Sequence, residues 1–299
     1  MLVLRTVTLL LVAVLGFLGL GGAPAYAADV VPLARAHAHN DYLHERPLLD
    51  ALDAGFQSVE VDVWLVDGEL LVAHDLEDVV PGRTLESLYL APLRERVRAG
   101  GGSVYPGDDN SLQLLIDIKS DGPATYLAVH EALKRYQSIL ARFTPAGAKD
   151  GAVTAVISGN RPRELMLDQK VRYAAYDGRL ADLNSDLPAS FLPLISNNWT
   201  KFFSWRGVGP IPEAEAQLLR DIVAEAHADG RRVRFWATPD DIGTNRAAVE
   251  AVWAELLDAQ VDYINTDQLD DLQAFLLEND PQPSTPYVSW WEKVRRSAA

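Results

Sequence analysis

Short β-rich runs alternate with helical patterns from residue 34 to the C-terminal region, the runs number close to eight, and about 270 residues remain after an apolar leader. These three observations predict an α/β chain folded as one TIM (β/α)8-type barrel, because alternating βα units build a parallel sheet and an ordinary barrel of this kind needs roughly 250 residues. A second domain is not required.

The leader comes first. Arg5 gives a positive start, Val7 to Leu20 an unbroken apolar run, and Ala25-Tyr26-Ala27 a small-x-small cleavage site. That order of features marks residues 1–27 as a signal peptide, and the apolar run is short of the roughly 20 residues a membrane-spanning helix needs. The expected mature protein is secreted, without stable membrane insertion once the signal is removed. The barrel is expected over residues 28–280, followed by an irregular tail over 281–299 in which Trp290 and Trp291 dock on the barrel.

The predicted strands are Ala34–His39, Gln57–Leu65, Glu69–His74, Leu112–Ile118, Val153–Ser158, Arg172–Ala175, Leu192–Ser196, Arg232–Ala237 and Tyr263–Asn265. Asp67-Gly68 is a tight-turn pair, so the second and third runs read as a hairpin-like excursion rather than two barrel strands parted by a helix. Apolar residues at helical spacing predict helices over Arg46–Ala54, Pro123–Ala141, Arg161–Gln169, Pro212–Asp229, Asn245–Ala259 and Gln268–Glu278, with Gly55 and Gly230 as C-terminal caps. The glycine-rich stretch Arg98–Asn110 reads as a flexible surface loop or a substrate-covering loop.

Composition narrows the chemistry. The chain has no cysteine, so disulfides and thiolate metal sites are excluded and any metal needs oxygen or imidazole ligands. A formal net charge of -15 opposes docking on nucleic acid or an anionic bilayer, both of which reward a basic face. No nucleic-acid partner is expected, and the oligomeric state is not legible.

The chemistry concentrates between Ala36 and Asp75. Glu60 and Asp62 stand two residues apart on the apolar strand VEVDVWL, so both carboxylates project to one face. Buried side by side they repel, and a hard divalent cation satisfies both. Asp117 is placed in the same way within LLIDIKS, and Lys119 follows on its face. Residues at the C-terminal ends of different barrel strands share one pole, so the three acids can complete one coordination sphere.

His39 and His74 end predicted strands near this pair and are the candidates for proton transfer, since imidazole titrates close to neutrality. His37 shares the face of His39 at greater depth and is balanced between a supporting and a core role. His44, His130 and His227 read as bystanders. Asn40 and Asp41 are placed to orient His39 or to contact a phosphate oxygen, loop capping being their plain alternative. Trp236 and Trp199 are candidates for an apolar wall around an alcohol group, with core packing the commoner fate. Arg163, Asn160 and Asp177 can reach the same pole from later strands.

The succession H-N-D-Y, G-F-x-S-V-E-V-D-V-W-L, L-V-A-H-D and L-I-D-I-K resembles the glycerophosphodiester phosphodiesterase and phosphatidylinositol-phospholipase-C-like superfamily. Through HNDY, RTLESLYLAPL, NNW and RFWATPD it is most similar to the subgroup of the fungal altered inheritance of mitochondria protein 6. Its His, ExD, His skeleton is also similar to that of sphingomyelinase-D-type phospholipases. The resemblance implies one Mg²⁺ or Ca²⁺ held by Glu60, Asp62 and Asp117, His39 and His74 as general acid and base, and Lys119 near the phosphate; Asn40 and Trp236 are expected at the substrate from their placement alone. It implies a phosphoric diester hydrolase acting on a small-molecule or lipid phosphodiester.

Two departures bear on substrate. His39-Asn40-Asp41 stands where the common motif has His-Arg-Gly, so an arginine for the phosphate is missing there, and the third acid is Asp117 rather than glutamate. A non-catalytic barrel with a structural cation is the rival from another class. A metal-dependent sugar hydrolase or isomerase is a third reading, but it gives no reason for the His, ExD, His spacing.

Overall fold

Eight parallel strands pair in sequence order and close on themselves: β1 (Leu33–Ala38), β2 (Phe56–Val66), β3 (Leu112–Ile118), β4 (Val153–Gly159), β5 (Ala174–Gly178), β6 (Leu194–Asn198), β7 (Arg232–Trp236) and β8 (Tyr263–Thr266), with β8 and β2 flanking β1. The computed structural model describes residues 30–288. The expected signal peptide and the two tail tryptophans lie outside the described residues.

Alternation along each strand sets the two cores. Val59, Val61 and Val63 face outward into the large apolar layer beneath the helices. Leu115, Val156, Ala175, Leu194 and Tyr263 form a second apolar cluster. The odd and even positions of a strand point to opposite faces, so the register Glu60↔Leu115 and Asp62↔Asp117 puts both acids of β2 on the inner face with that second cluster.

The expected hairpin is present. Glu69–Val72 runs back antiparallel along β2, pairing Val66↔Glu69 and Val63↔Val72, and Asp67 and Gly68 both take positive φ, as a two-residue primed turn requires. On the same side of β2, β1 stops at the level of Val59. The chain after Val72 therefore returns toward the gap above β1, where His39 begins the next loop.

Helices over Leu49–Asp53, Gly122–Arg135, Arg163–Asp168, Glu213–Ala228, Ile242–Asp258 and Leu269–Asn279 match the predicted set, and Gly55 and Gly230 take the left-handed conformation just past two of them. Beyond the predicted helices, Glu86–Leu90 forms a π-turn that runs into a further helix over Ala91–Ala99.

Arg98–Asn110 does not cover the site. Val104 and Tyr105 in it are buried, and the Tyr105 hydroxyl donates to the carbonyl of Phe56, the first residue of β2. The loop lies beneath the N-terminal ends of the strands, on the pole opposite the acids. Residues 281–288 also reach this lower end: the Pro283 carbonyl accepts from Ala34 N, Asn110 donates to the Ser284 carbonyl, and the Arg35 guanidinium sits 3.8 Å from the Tyr287 ring centroid. Among the described residues, no helix is long and apolar enough to cross a membrane.

Candidate active site

Glu60, Asp62 and Asp117 each present a ligand oxygen within 4.8 Å of the others at the upper, C-terminal mouth. Three carboxylates this close, two buried and Asp117 half-buried, repel strongly, and the surroundings show how the protein manages them. Glu60 is held by the Arg234 guanidinium and by His37, whose Nε2 donates to Glu60 Oε2 at 3.1 Å. Burial works against the Glu60 charge, yet the guanidinium and the His37 hydrogen bond hold its carboxyl below the ordinary range. Arg234 also donates to Asn265 Oδ1.

His37 is a support. It is buried completely, and burial together with the nearby Arg234 charge pushes its pKa down to about 3, so the ring is neutral. A relay fixes its tautomer: Gln113 donates to Ser58 Oγ (2.9 Å), Ser58 to His37 Nδ1 (2.7 Å), and His37 to Glu60. This second layer of hydrogen bonds orients the carboxylate as outer-shell partners orient metal ligands.

Asp62 and Asp117 are managed differently. The Tyr42 hydroxyl donates to Asp62 Oδ2 at 2.7 Å, and Lys119 Nζ lies 3.1 Å from Asp62 Oδ2 and 3.5 Å from Asp117 Oδ1. Burial and the Glu60 charge push the Asp117 pKa up to about 7 and raise that of Asp62, with Lys119 opposing both shifts. Asp62 Oδ1 and Asp117 Oδ1 are buried and accept no hydrogen bond. Acceptors left in that state are costly, and a hard cation held by Glu60, Asp62 and Asp117 would remove the cost. The donor set, all oxygen, fits Mg²⁺ or Ca²⁺. Gly159 keeps the space open: a Cβ built there would stand 2.1 Å from Asp117 Oδ1.

His39 sits on the rim. Its Nδ1–H donates to Asp267 Oδ1 at 2.8 Å, which turns Nε2 outward. Burial lowers its basicity, but the Asp267 hydrogen bond and the Glu60 charge outweigh it, and the pKa is raised. Asn40, in the left-handed conformation that asparagine tolerates, lies 3.0 Å from His39 Nδ1 and donates to Asp267 Oδ1 at 3.3 Å. Asp41 turns away: it accepts from Leu48 N and Tyr89 OH and caps the loop, which settles its plain alternative.

Not every candidate joins the cluster. His74 lies on the rim after the returning hairpin strand, but its ring is 60% exposed and its Nδ1 is 3.0 Å from Asp75 Oδ2. Trp236 faces the mouth beneath the Arg179 guanidinium, 5.0 Å from its ring centroid. Trp199 is core, stacked on Phe203 at 4.0 Å and edge-on to Phe235. Asn160 donates to the carbonyls of Lys119 and Ser120, and Arg163 pairs with Asp182, while Asp177 does reach the interior.

Arg234, Tyr42, Asp267 and Arg179 were not singled out by sequence. Arg234 had a usable signal, since a charged residue at the inward parity of an apolar strand demands a buried partner.

A parallel barrel with an acid cluster that could hold a metal ion, a lysine and a carboxylate-oriented histidine at its C-terminal mouth is the class of α/β barrel that this fold and site define. The model of the AIM6-like phosphodiesterase domain matches residues 25–177, and that of the glycerophosphoryl diester phosphodiesterase family matches residues 232–270. Altered inheritance of mitochondria protein 6 of Eremothecium gossypii is 31% identical over 282 residues, covering 83% of this chain and 70% of the relative. The same protein of Kluyveromyces lactis is 29% identical over 83% of this chain and 73% of its own length, and the Arthroderma benhamiae homolog 26% over 82% and 84%. The chain belongs to the AIM6-like phosphodiesterase family.

Proposed function

We propose that this protein is a secreted, divalent-metal-dependent phosphoric diester hydrolase acting on glycerophosphodiester or phospholipid-type substrates. One observation carries the reading: three carboxylates converge with Lys119 as the one cation, among the described residues, near Asp62 and Asp117, and Asp62 Oδ1 is buried without a hydrogen bond, beside a histidine oriented by Asp267. Export is supported by the leader sequence, and the substrate class by the two family matches.

A phosphodiester anion repels an incoming oxygen nucleophile, so hydrolysis needs charge neutralisation, removal of the nucleophile's proton and protonation of the leaving alkoxide. A divalent cation on Glu60, Asp62 and Asp117 supplies Lewis-acid neutralisation when bound. Lys119 Nζ adds a fixed positive charge at the same place. His39 Nε2, with Nδ1–H committed to Asp267, takes the proton of the attacking oxygen, and Asp267 stabilises the imidazolium that results. His74 gives a proton to the leaving oxygen, which its position on the rim and its exposure permit. A hydroxyl next to the phosphate would attack first and give a cyclic product; without one, water attacks.

Turnover of bis(p-nitrophenyl) phosphate with Mg²⁺ or Ca²⁺, and its loss with EDTA, tests this reading. Metal-stabilised protein with no turnover would support the non-catalytic barrel instead.

A further inference from the structure

The polar ring around the mouth continues past the cation site. On β5, Asp177 is fully buried; its Oδ1 accepts from Ser196 Oγ at 2.6 Å, and its Oδ2 from Ser158 Oγ at 2.7 Å and Arg179 Nη1 at 2.6 Å. Arg179 Nη1 also donates to the Gly178 carbonyl at 2.9 Å and to Ser196 Oγ at 3.1 Å. One corner of the guanidinium is thus fixed in place. For the other corner, the nearest acceptor of Nη2 is Ser158 Oγ at 3.5 Å, and the side chain is 23% exposed. The ring is continuous with the acids, because Ser158 is the cross-strand partner of Asp117.

We propose that Arg179, held over Trp236, is a second anion subsite that takes a carboxylate or phosphate carried by the alcohol portion of the substrate. This rests on the diesterase reading for the identity of the substrate, not for the existence of the subsite.

Three observations carry it. A guanidinium has five N–H donors in a rigid fork, and the anchoring contacts engage Nη1, leaving the edge formed by Nη2 and Nε for a bidentate oxyanion. Second, Arg234, the other cation at the Trp236 ring (6.0 Å), has its Nε–Nη2 edge engaged by Asn265 and Glu60, whereas the anchoring contacts of Arg179 engage the opposite corner. Third, the indole face that would otherwise welcome a quaternary ammonium is already covered by Arg179 at 5.0 Å, so a trimethylammonium group would meet like charge there. The two strands that carry Asp117 and Asp177 are separated by β4 alone, which puts the subsite roughly 10 Å around the barrel from the cation site. That is within the reach of a short alcohol chain.

The experiment is calorimetric titration of the full chain, with Mg²⁺ present, by three phosphomonoesters of similar size: phosphoglycolate, ethyl phosphate and phosphocholine. The wild-type protein is expected to bind phosphoglycolate at least about tenfold more tightly than ethyl phosphate, a charge-assisted pair being worth that much, and phosphocholine no more tightly than ethyl phosphate. In Arg179→Met the ratio of phosphoglycolate to ethyl phosphate affinity should fall toward one, with Arg179→Lys, which keeps a cation beside Asp177, in between. Equal binding of phosphocholine and phosphoglycolate by the wild type would overturn the subsite, as would a folded Arg179→Met that keeps the wild-type ratio. A drop in ethyl phosphate affinity as large as that for phosphoglycolate would also overturn it, placing Arg179 at the reacting phosphate. If Arg179→Met does not fold, the wild-type ranking and Arg179→Lys decide. A protein that hydrolyses bis(p-nitrophenyl) phosphate without charge discrimination keeps the diesterase reading and loses this subsite; discrimination without hydrolysis does the reverse.

Discussion

Asp62 and Asp117 are cross-strand partners on β2 and β3, and both carboxylates lie against the Lys119 ammonium, at 3.1 and 3.5 Å. With Glu60 neutralised by Arg234, the two share Lys119 alone, so one negative charge stays uncompensated.

A proton and a cation therefore compete for Asp117. Without metal its carboxyl titrates near pH 7, so below that pH a proton must leave before a cation binds. Mg²⁺ or Ca²⁺ affinity should be steady above neutrality and fall by up to about tenfold per pH unit below it. Titration calorimetry at pH 8, 7 and 6 reads this, and a flat affinity would contradict it.

Arg234→Met strands Glu60 as a buried charge without its cation, and breaking such a pair costs about 3 to 5 kcal/mol. The sign of the pH effect follows from the lowered Glu60 carboxyl: its contribution is present above the ordinary value of 4.5 and is lost as pH falls through the folded value. Urea unfolding should show a large defect at pH 7 that shrinks as pH falls toward 4.5, because without Arg234 burial raises the Glu60 carboxyl above its ordinary value and it protonates in the folded variant first. Glu60→Gln added to Arg234→Met should recover part of the loss.

Asp267→Ala removes the acceptor of His39 Nδ1–H, after which burial governs the ring and its pKa drops. Proton NMR titration of the imidazole should show the fall, and turnover should decline roughly 10- to 1000-fold through loss of the oriented tautomer. An unchanged His39 titration would contradict the orienting role.

The two histidines should separate by leaving group. A p-nitrophenolate departs without protonation, while an alkoxide needs an acid. His74→Ala should lose far more activity on an alkyl diester than on a p-nitrophenyl ester, and His39→Ala should fall on both, with circular dichroism to confirm folding. Near wild-type rates for both variants on the alkyl diester would make the histidines structural.

Much of this architecture was legible because barrel strands are short, apolar and bounded. Leu112–Ile118 was placed to the residue, and the Asp67-Gly68 turn announced the hairpin. Glu60, Asp62 and Asp117 stood out because a charge on an apolar strand is expensive. What compensates such a charge was not legible, since Arg234 reaches Glu60 from 174 residues away and Asp267 reaches His39 from 228. Those meetings follow from barrel closure, which periodicity along the chain does not encode. Of the two readings of Arg98–Asn110, surface loop and substrate-covering loop, the position beside Phe56 rules out the second; glycine content marks a loop but not the pole on which it lies.

The most direct measurement is calorimetric titration of Mg²⁺ or Ca²⁺ into the wild-type protein and into Glu60→Gln, Asp62→Asn and Asp117→Asn. One cation per chain is predicted for the wild type, with affinity lowered about 100-fold or more in each variant while the fold, read by circular dichroism, is retained. Unchanged metal affinity in all three variants would contradict the assignment of these carboxylates as the cation site.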